Sequence, residues 1–206
     1  MGYILAIVMI LISTAAIARP VSYKGGWMLM EEHDFSDTGF DVMYSATAND
    51  AFGLGYVNSH NDDYEGYFAH YNRLLKRWNF PDAQANIYAL TGAGVVDGGK
   101  DEDIAGSIGM EADAEDRRFY GSYQNEYLKG GDIVNEFTQK FRLGVAPYIA
   151  SYDELHTWLI VEAKHQPQQD DNIVLQPMLR MFQGNYLWEA GISEHGDIAF
   201  NFTMNF

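Results

Sequence analysis

The chain of 206 residues contains no cysteine, which removes disulfide-stapled scaffolds, Cys-ligated zinc modules and Cys nucleophiles. Positive charge is scarce as well. Only 13 Lys and Arg stand against 29 Asp and Glu, a formal net charge of -16, so the chain is a poor partner for phosphate backbones and no nucleic-acid binding is expected. Proline is rare at 5 residues, and with 47% hydrophobic residues the composition argues against disorder. Long apolar runs are almost missing. The one present, Tyr3 to Ala18, falls short of the ~20 residues that a spanning helix needs. It ends in Ala16-Ile17-Ala18, the small-x-small pattern that precedes a cleavage site, and predicts a signal peptide over residues 1–18. No Lys or Arg precedes the run, so the usual positive flank rests on the terminal amine alone.

What the chain has in abundance is alternation. From residue 19 onward, apolar side chains recur at period two, and almost nowhere at the i, i+3, i+4, i+7 spacing of an amphipathic helix. In Phe137 to Ile149, the residues Phe137, Phe141, Leu143, Val145 and Ile149 share one face and Thr138, Lys140, Arg142, Gly144 and Tyr148 the other. At the end of the chain Ile198, Phe200, Phe202, Met204 and Phe206 alternate with Asp197, Ala199, Asn201, Thr203 and Asn205. Read this way, the sequence predicts twelve strands, at 26–32, 39–47, 51–58, 66–77, 83–93, 104–112, 117–127, 137–149, 155–164, 173–182, 186–193 and 197–206. Turn residues separate them, as in an up-and-down antiparallel order. The fold class expected is all-β, a transmembrane barrel of about 12 strands over residues 19–206, since strands of this length suit a bilayer crossing. Sorted alternately, the connections suggest short inner turns and longer, acidic outer loops.

The alternating apolar and aromatic C-terminus ending in Phe206 resembles the assembly signal of bacterial outer-membrane β-barrel proteins, porin-like ones included. The resemblance covers the last nine or ten residues. It implies residence in the outer membrane of a Gram-negative cell, among lipid and lipopolysaccharide, after delivery to the barrel assembly machinery.

The face opposite the apolar one carries charge of both signs. Candidates for a lumen constriction are Arg118, Lys140, Arg142, Glu111, Glu126, Glu162, Glu189, His70, His156 and Arg180, which could orient or filter a small solute as rings of charge do in pores. The expected function is a narrow porin-like channel for small solutes. A salt-bridged plug in a non-conducting structural barrel, or a metal-handling one, is the alternative, and a lipid-acting outer-membrane enzyme the third. For an enzyme, His70 with Asn72 would supply the base, yet no Ser shares that local motif and no catalytic residue is assigned. For copper, the thioethers of Met28, Met30 and Met43 and the imidazoles of His33 and His60 are the candidate ligands. Acidic connections such as Asp97 to Asp103 could hold Ca²⁺ or Mg²⁺ against lipopolysaccharide phosphates, and no cofactor beyond such ions is expected.

Overall fold

The structure, a computed structural model, describes residues 19–151, 154–170 and 172–206. The expected signal peptide lies outside the described residues. Twelve strands form one closed antiparallel barrel in which each strand pairs with its neighbours in sequence and β1 closes on β12. They are β1 (Trp27–His33), β2 (Asp37–Ser45), β3 (Asp50–Ser59), β4 (Tyr64–Asn79), β5 (Ala83–Asp97), β6 (Glu102–Asp116), β7 (Phe119–Gly130), β8 (Val134–Val145), β9 (His156–His165), β10 (Ile173–Gln183), β11 (Tyr186–Ile192) and β12 (Ile198–Asn205). The seam sets Met28 opposite Asn205 and His33 opposite Phe200. Beyond its last rung Trp27 and Phe206 exchange both backbone hydrogen bonds, at 2.7 and 2.9 Å. Closure gives every strand a paired neighbour on both sides, as a hydrocarbon environment demands.

The alternation places apolar groups outside. Ile104 is 79% exposed, Leu54 70%, Ile198 69% and Ile108 64%, and a continuous band of such residues is the wall of a barrel that crosses a membrane. Aromatic rings line its margin near the chain termini. Trp27, Tyr44, Phe52 and Tyr71 follow one another across β1 to β4 in register, with centroids 5.0 Å apart for Trp27–Tyr44 and for Phe52–Tyr71. Amphipathic rings favour this depth.

Several connections differ from expectation. β4, β5 and β6 run to 15 or 16 residues, so the acidic stretch after β5 shrinks to a tight turn over 98–101, where Gly99 takes a positive φ of 78°. All connections at the end away from the termini are short, the longest being 166–172. The longest connection, residues 146–155, lies at the terminal end instead, where a short turn was expected. Pro147 explains it: without an N–H it cannot extend the ladder, and β8 stops at Val145 rather than Ile149.

Candidate functional site

The lumen is layered. At the terminal end Val21, Met28, Met43, Ala51, Leu74 and Tyr88 form an apolar cluster, and at the far end Tyr64, Phe68, Val96, Ala105 and Val134 form another. Between them the inward faces carry charge. On β8 to β12 the charges belong to directly opposed residues: Arg142 faces Glu162, Arg180 faces Glu189, and Glu189 faces Asn201. Arg142 Nε bonds Glu162, Arg142 Nη1 reaches Glu189 at 3.2 Å, Arg180 Nε donates to Glu189 at 2.5 Å, and Asn201 Nδ2 donates to it at 2.8 Å. The Arg180 guanidinium also lies 4.5 Å over the Tyr120 ring. Every member is buried or nearly so, and each ion has opposite charge beside it, the condition for keeping charge inside a protein.

Two further contacts cross the interior. Lys140 of β8 is ion-paired with Glu32 of β1. Lys164 of β9, 3% exposed, holds the turn between β1 and β2 through Asp34 at 2.7 Å, Asp37 at 3.2 Å and Ser36. Burial works to raise the pKa of Asp34, but the Lys164 ammonium, with Lys140 behind it, outweighs burial and holds the carboxyl well below the usual carboxylate range. On the opposite wall His70 Nε2 lies 3.3 Å from Asp41 Oδ1. This pair rests on glycines. A methyl at Gly55 would stand 2.3 Å from Asp41 Oδ1 and 2.4 Å from His70 Nε2, and one at Gly92 would stand 3.1 Å from His70 Nδ1. The absent side chains leave the imidazole its space.

The space left by these groups consists of two stacked cavities of about 210 and 250 Å³. Glu32, Asp41, His70, Glu126 and Lys140 line both, so they mark the junction. Each cation that lines the cavities is committed: Arg19 to Glu115, Lys140 to Glu32, Arg142 to Glu162 and Glu189, Lys164 to Asp34 and Asp37, Arg180 to Glu189. Among the lining acids, Glu31, Glu111, Glu126 and Glu136 enter no ion pair among the described residues. Nine acidic side chains line the two cavities against five basic ones.

Eight of the ten residues expected at a constriction, His70, Glu111, Glu126, Lys140, Arg142, Glu162, Arg180 and Glu189, face this interior. Two stand elsewhere. Arg118 lies exposed in the turn between β6 and β7, its backbone N–H donating to Asp116, because β7 begins two residues later than the alternation suggested. His156 opens β9 at the terminal rim, where Nε2 contacts the Ser151 carbonyl at 3.1 Å and the ring packs 5.6 Å from Phe182. The candidate copper ligands are divided as well. Met28 and Met43 are 2% exposed in the terminal apolar layer, with Met30 packed against it. His33 and His60 sit at the far rim instead, hydrogen-bonded through the Thr38 hydroxyl at 2.8 and 3.1 Å. Among the described residues no group of three or more His, Asp or Glu is placed to hold a metal ion. His70 and Asn72 point inward, and Ser107 lines the same cavities as His70 without a hydrogen bond to it.

Residues that the alternation did not single out complete the interior. Glu32 and Asp41 continue the inward faces of Met28 and Met43, and Lys164 follows Glu162 by two, so strict parity from those neighbours would have found all three. Arg19 precedes the first strand and has no such signal.

An apolar outer wall around a charged, cavity-bearing interior defines an outer-membrane-type β-barrel. No protein-family model matches the sequence, and no match is found among curated proteins. Among solved structures, a KdgM porin in complex with disordered oligogalacturonate superposes with a TM-score of 0.52 at 9% identity, covering 88% of this chain and 98% of that one. A KdgM porin gives 0.49 at 7% identity over the same shares, and Acinetobacter baumannii OccAB4 gives 0.43 at 13% over 86% of this chain and 57% of that one. The first likeness shows a shared barrel fold and leaves the solute to be argued from the lumen itself.

Proposed function

We propose that the protein is an outer-membrane channel that passes small solutes through a narrow lumen and favours cations. The carrying observation is the pair of stacked cavities that share the Glu32, Asp41, His70, Glu126 and Lys140 layer, inside a wall whose lining cations are all neutralised. Twelve strands stand between the eight whose side chains fill a barrel and the sixteen or more of wide aqueous pores, so a constricted passage is the physical expectation. Glu126, which no cation neutralises, then acts as a fixed negative charge along the path. An acidic oligosaccharide would meet that charge unfavourably. The terminal end faces the periplasm, Phe206 at the seam serves as the assembly signal, and the acidic far-end turns meet lipopolysaccharide, where Ca²⁺ or Mg²⁺ can bridge carboxylate and phosphate.

The second reading is a closed structural barrel, favoured by the Lys140–Glu32 contact across the lumen and by the apolar layers at both ends. Swelling of proteoliposomes in isosmotic solutions of small neutral and cationic solutes separates the two. Swelling that falls off steeply with solute size supports the channel; rates equal to protein-free liposomes refute it.

A further inference from the structure

Residues 19–26 do not approach β1 from outside the barrel. They come from within it. The Arg19 guanidinium pairs with Glu115 of β6, and both side chains are less than 15% exposed. Asn72 Nδ2 of β4 donates to the Pro20 carbonyl at 3.4 Å. Val21 is 2% exposed inside the terminal apolar cluster, against Met28, Met43, Leu74 and Tyr88. Ser22 is tied to two strands, its N–H donating to Ser45 Oγ at 3.0 Å and its hydroxyl to Asn205 Oδ1 at 3.1 Å. Gly25 N–H and Gly26 C=O finish the segment against the Ser45 backbone at 2.7 and 2.9 Å. Eight residues thus reach from the seam at β12 to β6 on another side of the wall, and Arg19 and Pro20 form part of the terminal-end cavity.

The seat is rich in acid and incompletely satisfied. β6 turns Glu111, Asp113 and Glu115 inward in succession, and Glu111 has no ion-pair partner. Asp113 Oδ2 is buried without a hydrogen bond, an acceptor that a further cation or donor would satisfy. The sequence supplies one. Hydrolysis of the Ala18–Arg19 peptide bond by an export peptidase consumes a water, leaves a carboxylate on Ala18 and frees an α-ammonium on Arg19. An unprocessed chain would have to lead the apolar run Tyr3 to Ala18 away from a charged cavity of about 250 Å³, so the seat suits the processed chain.

We propose that the mature amino terminus is a plug: Arg19 to Gly26 occupies the periplasmic mouth, its new ammonium and its guanidinium bound by the β6 carboxylates, and its release widens the lumen. The gating half rests on the channel reading; the seating half does not. Because the chain lacks cysteine, a single Val21→Cys reports the seat cleanly. In the folded, exported barrel this thiol should react with a maleimide far more slowly than in the urea-unfolded chain, and adding Glu115→Gln should raise the folded-state rate about tenfold by freeing Arg19. Mass spectrometry of the same protein should show a chain that begins at Arg19. In planar bilayers Glu115→Gln and Arg19→Ala should raise the open-channel conductance. A folded-state rate equal to the unfolded one, a rate indifferent to Glu115→Gln, or a folded barrel that still carries residues 1–18 overturns the seat. A segment released by labelling but with unchanged conductance overturns the gate. Absence of conductance from the variants and the parent alike contradicts the channel reading while the labelling still decides the seat.

Discussion

Replacing Glu189 by Gln keeps the shape of the side chain and removes its charge from between two arginines. Glu189 is 2% exposed and accepts from Arg180 at 2.5 Å, from Arg142 at 3.2 Å and from Asn201 at 2.8 Å. A Gln side chain offers one oxygen for these donors, and its NH₂ points a fourth donor at them. Arg142 retains Glu162, but Arg180 keeps only its stack on Tyr120 among the described partners, and breaking a buried pair on one side costs about 3–5 kcal/mol. Glu162→Gln is the graded control: Arg142 keeps Glu189 there, so the loss is one charge-assisted hydrogen bond, about 1.5–3 kcal/mol. Urea unfolding in detergent micelles, followed by tryptophan fluorescence and by the gel mobility of the folded barrel, should show Glu189→Gln losing clearly more stability than Glu162→Gln. A Glu189→Gln barrel as stable as the parent, or an equal cost for both substitutions, would refute the account of this network.

Other outcomes follow from the same geometry. Gly55→Ala places a methyl where Asp41 and His70 meet and should cost about 1–3 kcal/mol by overpacking, read in the same unfolding assay; no change would mean that the pair is free to move. Glu126→Gln should lower cation preference in reversal-potential measurements, while Arg118→Ala, in an exposed turn, should leave it unaltered. Because Asp34 is held below the ordinary carboxylate pKa of about 3.9, its contribution is complete above about pH 4 and is lost only as the pH falls further, through the depressed folded value. Protease cleavage in the turn between β1 and β2 should therefore begin only in strong acid in the parent, and at neutral pH in Lys164→Met, where Asp34 stays buried without its cation.

Much of the wall was legible because a strand with one apolar face has a period that cannot be mistaken for a helix. Phe137, Phe141, Leu143 and Val145 point outward as alternation demands, and so do Ile198 and Phe200. What parity cannot supply is where a strand starts or stops. Pro147 ended β8 early, and β7 opened at Phe119 rather than Arg117, which put Arg118 in a turn instead of the lumen. Contacts across the interior were invisible for another reason: Lys140 meets Glu32, 108 positions away, through the closure of the barrel, and no local spacing records such a pair. The methionine and histidine candidates are not brought together, because Met28 and Met43 face inward near one end while His33 and His60 stand at the other rim.

The central claim is a conducting lumen whose unpaired acids select cations, and its most direct test is the zero-current potential of the reconstituted protein in a planar bilayer under a KCl gradient. The account predicts discrete conductance steps and a reversal potential of the sign set by potassium. A potential set by chloride would contradict the placement of charge, and a bilayer without steps above the lipid background would contradict the channel itself.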